Sequence, residues 1–255
     1  VVAAHIRVLG PIEVGDRRGY RPVPGRRARA LLAALVLGID HAVPVGQLVD
    51  AVWGEDAPPS ARNTLQSHVS TLRSLLGRVA VEYDDDSYRL RVDPVNVDAV
   101  RFEQLTAEAS DALAAEPERA RACAMEGLAL WRGSPYGDVG DDEFVELEVR
   151  RLVELRLELM ETRLEADISL GRFGPASAVL AGLVEDHPFR ERLWCLLMSA
   201  LARDGRRVEA VRAYNRLREL LVEVGLEPSR EVTSLYQRIL VEAPEMEAHL
   251  LHRDP

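Results

Sequence analysis

The sequence has no lysine; all 32 of its basic residues are arginine. That uniformity reads as a coding bias, although the planar arginine fork does suit bidentate phosphate contacts. Cysteine is nearly absent. Cys123 and Cys195 each fall in an apolar helical stretch, which predicts reduced, buried thiols and a cytoplasmic protein. No run approaches 18 uninterrupted apolar residues and no signal-peptide pattern is present, so no membrane partner is expected. A Gly-rich phosphate loop, HExxH, a serine-centred elbow and CxxC are all missing, and the histidines are scattered. No enzyme activity, cofactor or metal is therefore expected, and the acidic DVGDDE at 138–143 reads as a solvated turn. Net positive charge is lacking too: the total is −10, which by itself speaks against a nucleic-acid partner. The chain opens at Val1 rather than Met, as a trimmed or processed start would.

What is present changes that last inference. The 255 residues, 47% of them apolar, suffice for one large domain or two ordinary ones. Residues 1–92 carry 12 arginines against 10 acids, whereas 93–255 carry 20 against 32. A mildly basic front therefore precedes a strongly acidic back.

The front reads as strands, three helices and a hairpin. HIRVLGPIEV (5–14), pausing at GDRRG (15–19), predicts a short β meander finishing near Pro24. RRARALLAALVLG (26–38) and VGQLVDAVW (45–53) are helices, and GEDAPPS (54–60) is a turn that places Ser60 as an N-cap. A third helix covers 61–76 and stops at Gly77; VAVEYDDDSYRLRV (79–92) is a hairpin joined at DDDS. A hairpin directly after the last of three helices is the plan of a winged helix-turn-helix, whose last helix enters the major groove.

On a helical wheel of the third helix, Leu65, Val69, Leu72 and Leu76 make one buried stripe. Asn63, Ser67, Ser70 and Ser74 lie opposite; Arg62, Gln66 and Arg73 flank one edge, and Thr64, His68 and Thr71 the other. Asn and Gln pair bidentately with adenine, Arg with guanine, and Ser or Thr with base edges or phosphate. The candidate base-reading set is therefore Asn63, Gln66, Ser67, Ser70, Thr71 and Arg73. The candidate phosphate and wing set is Arg26, Arg27, Arg62, Arg89 and Arg91. Arg29 shares the start of the first helix, where positive charge opposes the macrodipole and so needs another reason. The alternative for all of these is a solvated face that contacts nothing. Asp84, Asp85 and Asp86 fall at the wing tip, where they repel phosphate.

After Pro94 the pattern turns almost wholly helical, with breaks at 133–143, 170–173, 185–189, 204–207 and 224–229. Gly171-Arg172 and Gly205-Arg206, Ala176 and Ala210, and Leu183 and Leu217 recur at the 34-residue tetratricopeptide period. Trp194 and Leu197 fit the aromatic region of such a repeat. The alternative is an ordinary helical bundle. The expected fold class is mainly α with a small β component: residues 1–93 a winged helix, 94–243 an all-helical tetratricopeptide-like domain and 244–255 a tail.

The stretches LGPIEV, RRARALLAALVL, VGQLVDAVWGEDAPPSARNTLQSHVSTLRSLLG and SYRLRVDP resemble the DNA-binding part of the Streptomyces antibiotic regulatory protein family. VDAVRFEQL, GLALWRG, LVELRLELMETRLEADISLGRF and HPFRERLWCLLMSALARDGRRVEAVRAYNRLRELLVEVGLEPSREVTSLYQRIL resemble its bacterial transcriptional activation domain. The resemblance implies an OmpR-like winged helix fused to a tetratricopeptide-like domain. It implies a cytoplasmic regulator, in most members an activator, that binds direct repeats in double-stranded DNA as a side-by-side homodimer and recruits RNA polymerase. It places Asn63, Thr64, Gln66, Ser67, Ser70, Thr71 and Arg73 on the recognition helix, Arg89 on the wing, and Trp53 and Leu72 in the core. This chain departs from the family pattern at Ser67, His68, Thr71 and Ser74, where members carry a large apolar residue or arginine, and at Asp85-Asp86-Ser87 before the wing tyrosine. Both departures lower the positive charge and bear on affinity and operator. Larger relatives add domains after this unit, so an end at Pro255 fits either a short member or a fragment. Repression, or a protein-interaction module whose winged helix has lost DNA affinity, stands as the alternative function.

Overall fold

The computed structural model describes residues 4–16, 19–39 and 41–241. The tail assigned to 244–255, His249 and His252 within it, and Arg17 and Arg18 of the first turn lie outside the described residues. The chain forms two compact units, one of residues 1–108 and 123–159, the other of 109–122 and 160–255.

The first unit opens with three short strands, β1 (His5–Arg7), β2 (Glu13–Asp16) and β3 (Gly19–Pro22), paired in that order as an antiparallel sheet. Helix α1 (Arg26–Leu37) follows and buries eight of its twelve residues, a consequence of its Ala- and Leu-rich sequence. A two-residue strand, β4 (Val43–Pro44), leads directly into α2 (Val45–Trp53). Helix α3 (Ala61–Leu76) packs on both α1 and α2. The hairpin of β5 (Val81–Asp84) and β6 (Ser87–Leu90) then pairs with β4 in the order β4-β6-β5. The helix limits and the hairpin agree with the pattern of the sequence. β4 does not appear in that pattern, because two residues carry no period and their strand character comes from pairing Val43 with Tyr88.

Ser60 occupies the N-cap position of α3, but its side chain caps nothing. Its backbone is at φ −89°, ψ 9° rather than extended, and its carbonyl instead accepts the hydroxyl of Thr64 at 3.1 Å. Beyond the hairpin, α4 (Asp98–Ala112) starts with a buried carboxylate. Asp98 accepts the backbone N–H groups of Val8 at 2.7 Å and Leu9 at 3.1 Å, and Arg132 at 3.4 Å. Burial holds the Asp98 carboxyl above its ordinary value, against the opposing effect of those donors. Two further bonds, Arg132 N–H to the Leu9 carbonyl and Tyr136 N–H to that of Val8, join the residues just after β1 to the segment after α5 (Pro117–Ala129).

Helix α6 (Glu143–Ser169) precedes four helices, α7 (Phe173–Asp186), α8 (Glu191–Arg203), α9 (Arg207–Glu223) and α10 (Arg230–Val241). Within the second unit α8 packs on α7, α9 and α10. The 34-residue echo has a clear physical cause. Gly171 and Gly205 each sit at φ 77°, as does Gly225. At each, the residue after the glycine donates to a carbonyl five residues back: Arg172 to Asp167, Arg206 to Leu201 and Leu226 to Leu221. This is a Schellman stop, and its left-handed residue disfavours any side chain with a Cβ. Ala176 and Ala210 are buried at equivalent places, so each repeat allows close helix approach. Trp194 is buried and its indole N–H donates to the Pro188 carbonyl at 2.9 Å.

Candidate nucleic-acid interface

Helix α3 divides cleanly. Ala61, Leu65, Val69, Leu72 and Leu76 are buried against the core of the first unit. Arg62, Asn63, Gln66, Ser67, Ser70 and Ser74 are exposed, and Thr71 and Arg73 are half-buried. The helix therefore presents a continuous polar face about three turns long, the span a major-groove helix uses.

Three hydroxyls on that face are already committed as donors. Ser70 donates to the Gln66 carbonyl at 2.9 Å, Thr71 to Ser67 at 3.1 Å and Ser74 to Ser70 at 2.9 Å. Each bond returns to the preceding helical turn, which leaves the hydroxyl oxygen free as an acceptor. In this state Ser70, Thr71 and Ser74 can accept from a ligand but have no hydroxyl hydrogen left to donate. Asn63, Gln66 and Ser67 are the side chains there that can both donate and accept.

Arg73 is held by its neighbour strand. Its Nε donates to the Val81 carbonyl of β5 at 2.9 Å, while Nη1 and Nη2 have no hydrogen-bond partner among the described residues. Those two nitrogens are an end-on fork of the kind that meets guanine O6 and N7. Arg73 therefore also ties helix to wing, a role that the helical wheel does not reveal.

The wing is fastened at its tip. Asp85 and Asp86 both lie at positive φ, 45° and 52°, in the two-residue turn between Asp84 and Ser87. Such a turn favours residues that tolerate left-handed backbone, which explains aspartate here. The Asp86 carbonyl accepts the Val45 N–H at the start of α2 at 2.9 Å. Its carboxylate accepts Arg62 at 2.9 Å, so one acid of the tip neutralises an arginine at the start of α3.

The remaining predicted cations separate into paired and unpaired. Arg26 is bonded to Asp142, and Arg29 is bidentate with Asp138 at 2.7 and 2.5 Å. Arg29 holds the Asp138 carboxyl below its ordinary value. The DVGDDE segment is thus the counter-charge of the α1 start, and the reading of it as a merely solvated turn is corrected. Arg91 lies one residue beyond β6, with Nε 2.6 Å from Glu82 Oε2. Arg27 and Arg89 have no carboxylate partner among the described residues; Arg27 lies 5.6 Å above the Trp53 ring. His68 is the third member of that cluster, its ring centroid 6.1 Å from that of Trp53. Burial, with Arg27 adding to it, holds His68 below its ordinary value. Two cations escaped the sequence reading. Arg78 is exposed just after α3 and is unpaired among the described residues, and Arg21 Nη2 donates to the Leu75 carbonyl at 3.1 Å. The position of Arg78, one residue past the glycine stop, was a usable signal.

Comparison with known proteins decides the lineage. Residues 24–84 match the family described as transcriptional regulatory protein, C terminal, and residues 97–240 match the bacterial transcriptional activator domain. The regulatory protein DnrI of Streptomyces peucetius is 35% identical over 249 residues, covering 92% of this chain and 91% of DnrI. The chain belongs to the Streptomyces antibiotic regulatory protein family. Members of this family are transcriptional regulators, built as this chain is from an OmpR-like winged helix and a helical activator domain. The regulatory protein AfsR of Streptomyces griseus is 37% identical over 240 residues, 93% of this chain, but the chain spans only 24% of AfsR. The structure of Mycobacterium tuberculosis EmbR in complex with a low-affinity phosphopeptide aligns at a TM-score of 0.88 and 32% identity, covering 96% of this chain and 66% of that one. The first match runs from α1 through β5 and so contains the whole of α3. Among the described residues no helix is long and apolar enough to cross a membrane, and no cluster of three or more His, Cys, Asp or Glu is placed to hold a metal.

Proposed function

We propose that this protein is a cytoplasmic, non-enzymatic activator that recognises double-stranded DNA with α3 and acts as a homodimer on direct repeats, recruiting RNA polymerase. In this reading residues 1–93 are the DNA-binding domain and 94–243 the activation domain. The observation that carries it is the polar face of α3, held at one end by Arg62–Asp86 and at the other by Arg73–Val81, within the stretch that matches a DNA-binding family. Asn63, Gln66 and the Nη atoms of Arg73 read base edges; Ser67, Ser70 and Thr71 accept from bases or keep the backbone close. Arg27 and Arg89 engage phosphate directly. Arg26, Arg62 and Arg91 do so by exchanging a carboxylate for a phosphate. Activation needs no covalent step, because contacts to DNA and polymerase share the binding free energy.

A second reading is favoured by the same ion pairs. With Arg26, Arg62 and Arg91 engaged by Asp142, Asp86 and Glu82, the protein is an interaction module with weak DNA affinity. Sequencing the genomic fragments retained by the intact protein separates the two. Enrichment of fragments sharing a direct repeat supports DNA recognition; retention of no fragment above background supports the module.

A further inference from the structure

The second unit has a groove of about 340 Å³ walled by α7, α8 and α9. Its floor is apolar, formed by Trp194, Leu197 and Leu201 of α8. Its walls are low, because Ala178 and Ala181 of α7 face Ala213 of α9. A groove with an apolar floor and low walls of small residues leaves room for an inserted apolar side chain.

The charges around it are arranged in a definite way. At one end Arg206 is bidentate with Glu209, both contacts at 2.7 Å, and its Nη1 reaches the buried Ser177 hydroxyl at 3.3 Å. At the other end Arg216 is bidentate with Glu185, both contacts at 2.6 Å. Both glutamates of the groove are thus satisfied by arginines of the groove. Arg212 lies between the two pairs in sequence on α9 and has no hydrogen-bond or ion-pair partner among the described residues. Arg212 acts at longer range on Glu209, which Arg206 already holds, so the groove has three arginines against two glutamates above its apolar floor. At physiological salt the acidic remainder of the unit is screened beyond about 8 Å, so this local charge selects what binds.

We propose that this groove docks a peptide segment of a partner protein in which an aliphatic side chain fills the floor and an adjacent carboxylate pairs with Arg212. An arginine–carboxylate contact beside a filled apolar pocket is the usual make-up of a peptide hot spot. The site lies wholly in the second unit.

A cellulose array of synthetic octapeptides, varying aliphatic content and charge sign, tests this with the full chain. Retention is expected on members that combine leucine or isoleucine with aspartate or glutamate, and absent from their lysine counterparts. Arg212→Glu is expected to weaken retention about tenfold, the equivalent of one charge-assisted hydrogen bond. Ala181→Trp, which fills the groove from an exposed position, is expected to abolish it. Thermal melts of both variants control for folding, and Arg212→Glu decides the matter if Ala181→Trp melts early. Retention of no peptide, retention indifferent to charge sign, or binding unchanged in Arg212→Glu would overturn the proposal.

Discussion

In the proposed DNA-binding reading, Asp86 bears directly on affinity through its pair with Arg62. It sits on the wing turn, yet its carboxylate pairs with Arg62 at the start of α3, with both partners more than half exposed. An exposed pair of this kind contributes little to stability, so its effect falls on binding rather than on folding. Phosphate must displace Asp86 to reach Arg62. Asp86→Asn should therefore strengthen binding to non-specific duplex and steepen the salt dependence by about one phosphate contact, read as a change near 0.9 in the slope of log K against log salt. An unchanged slope would show that Arg62 gains no phosphate contact when its carboxylate partner is removed. His68 carries a separate prediction. Burial beside Trp53, reinforced by Arg27, holds it below its ordinary value of 6.5. A histidine lowered in this way favours the fold while neutral; that contribution is present above about pH 6.5 and is lost as the pH falls through the lowered value. Denaturant midpoints followed from about pH 7.5 to 5 should fall more steeply for the parent than for His68→Gln. Parallel curves would remove His68 from the account. Cys195 is pushed up to about 11, chiefly by burial and then by Glu231 and Glu191, so its thiol stays protonated at neutral pH and is a poor nucleophile.

At the scale of elements, the helices of the first unit were legible because each has an apolar stripe of its own. The limits of α1, α2 and α3 follow from Gly38, Trp53-Gly54 and Gly77, and the burial of Leu65, Val69, Leu72 and Leu76 follows from their spacing. The ion pairs were not legible, because their partners are distant in sequence. Asp142 lies 116 residues from Arg26 and Asp138 lies 109 from Arg29, and no local pattern connects them. The same holds for β4 and for the Arg73–Val81 bond, both created by packing the hairpin against its neighbours. The repeats were legible through glycine. Gly205 sits at φ 77° with no atom within 4 Å of an added Cβ, so a substitution there meets backbone strain and no clash. Gly205→Ala should cost about 1–2 kcal/mol in an unfolding titration. A loss much larger than that would show that the repeat boundary does more than end α8.

Across the whole molecule, charge and chemistry are segregated along the chain. The excess of acid lies beyond residue 92, whereas the polar face of α3 belongs to a stretch with a small excess of arginine. A net charge of −10 therefore says little about DNA, because short-range contacts at one helix face decide affinity once salt screens the rest. If α3 reads DNA as proposed, the scarcity of unpaired arginine around it leaves Asn63 and Gln66 to supply much of the specificity, and the proposed second copy on an adjacent repeat to supply much of the affinity. The central claim is that α3 reads bases. The measurement that reaches it most directly is the set of sequences selected from a random duplex library by the parent and by Gln66→Ala, each sequenced after several rounds. The account predicts that the variant keeps the spacing of the repeat but loses the base preference at one position in each half-site, typically an adenine, with about 1–3 kcal/mol less discrimination there. An identical preference at every position, whether or not overall affinity falls, would contradict it.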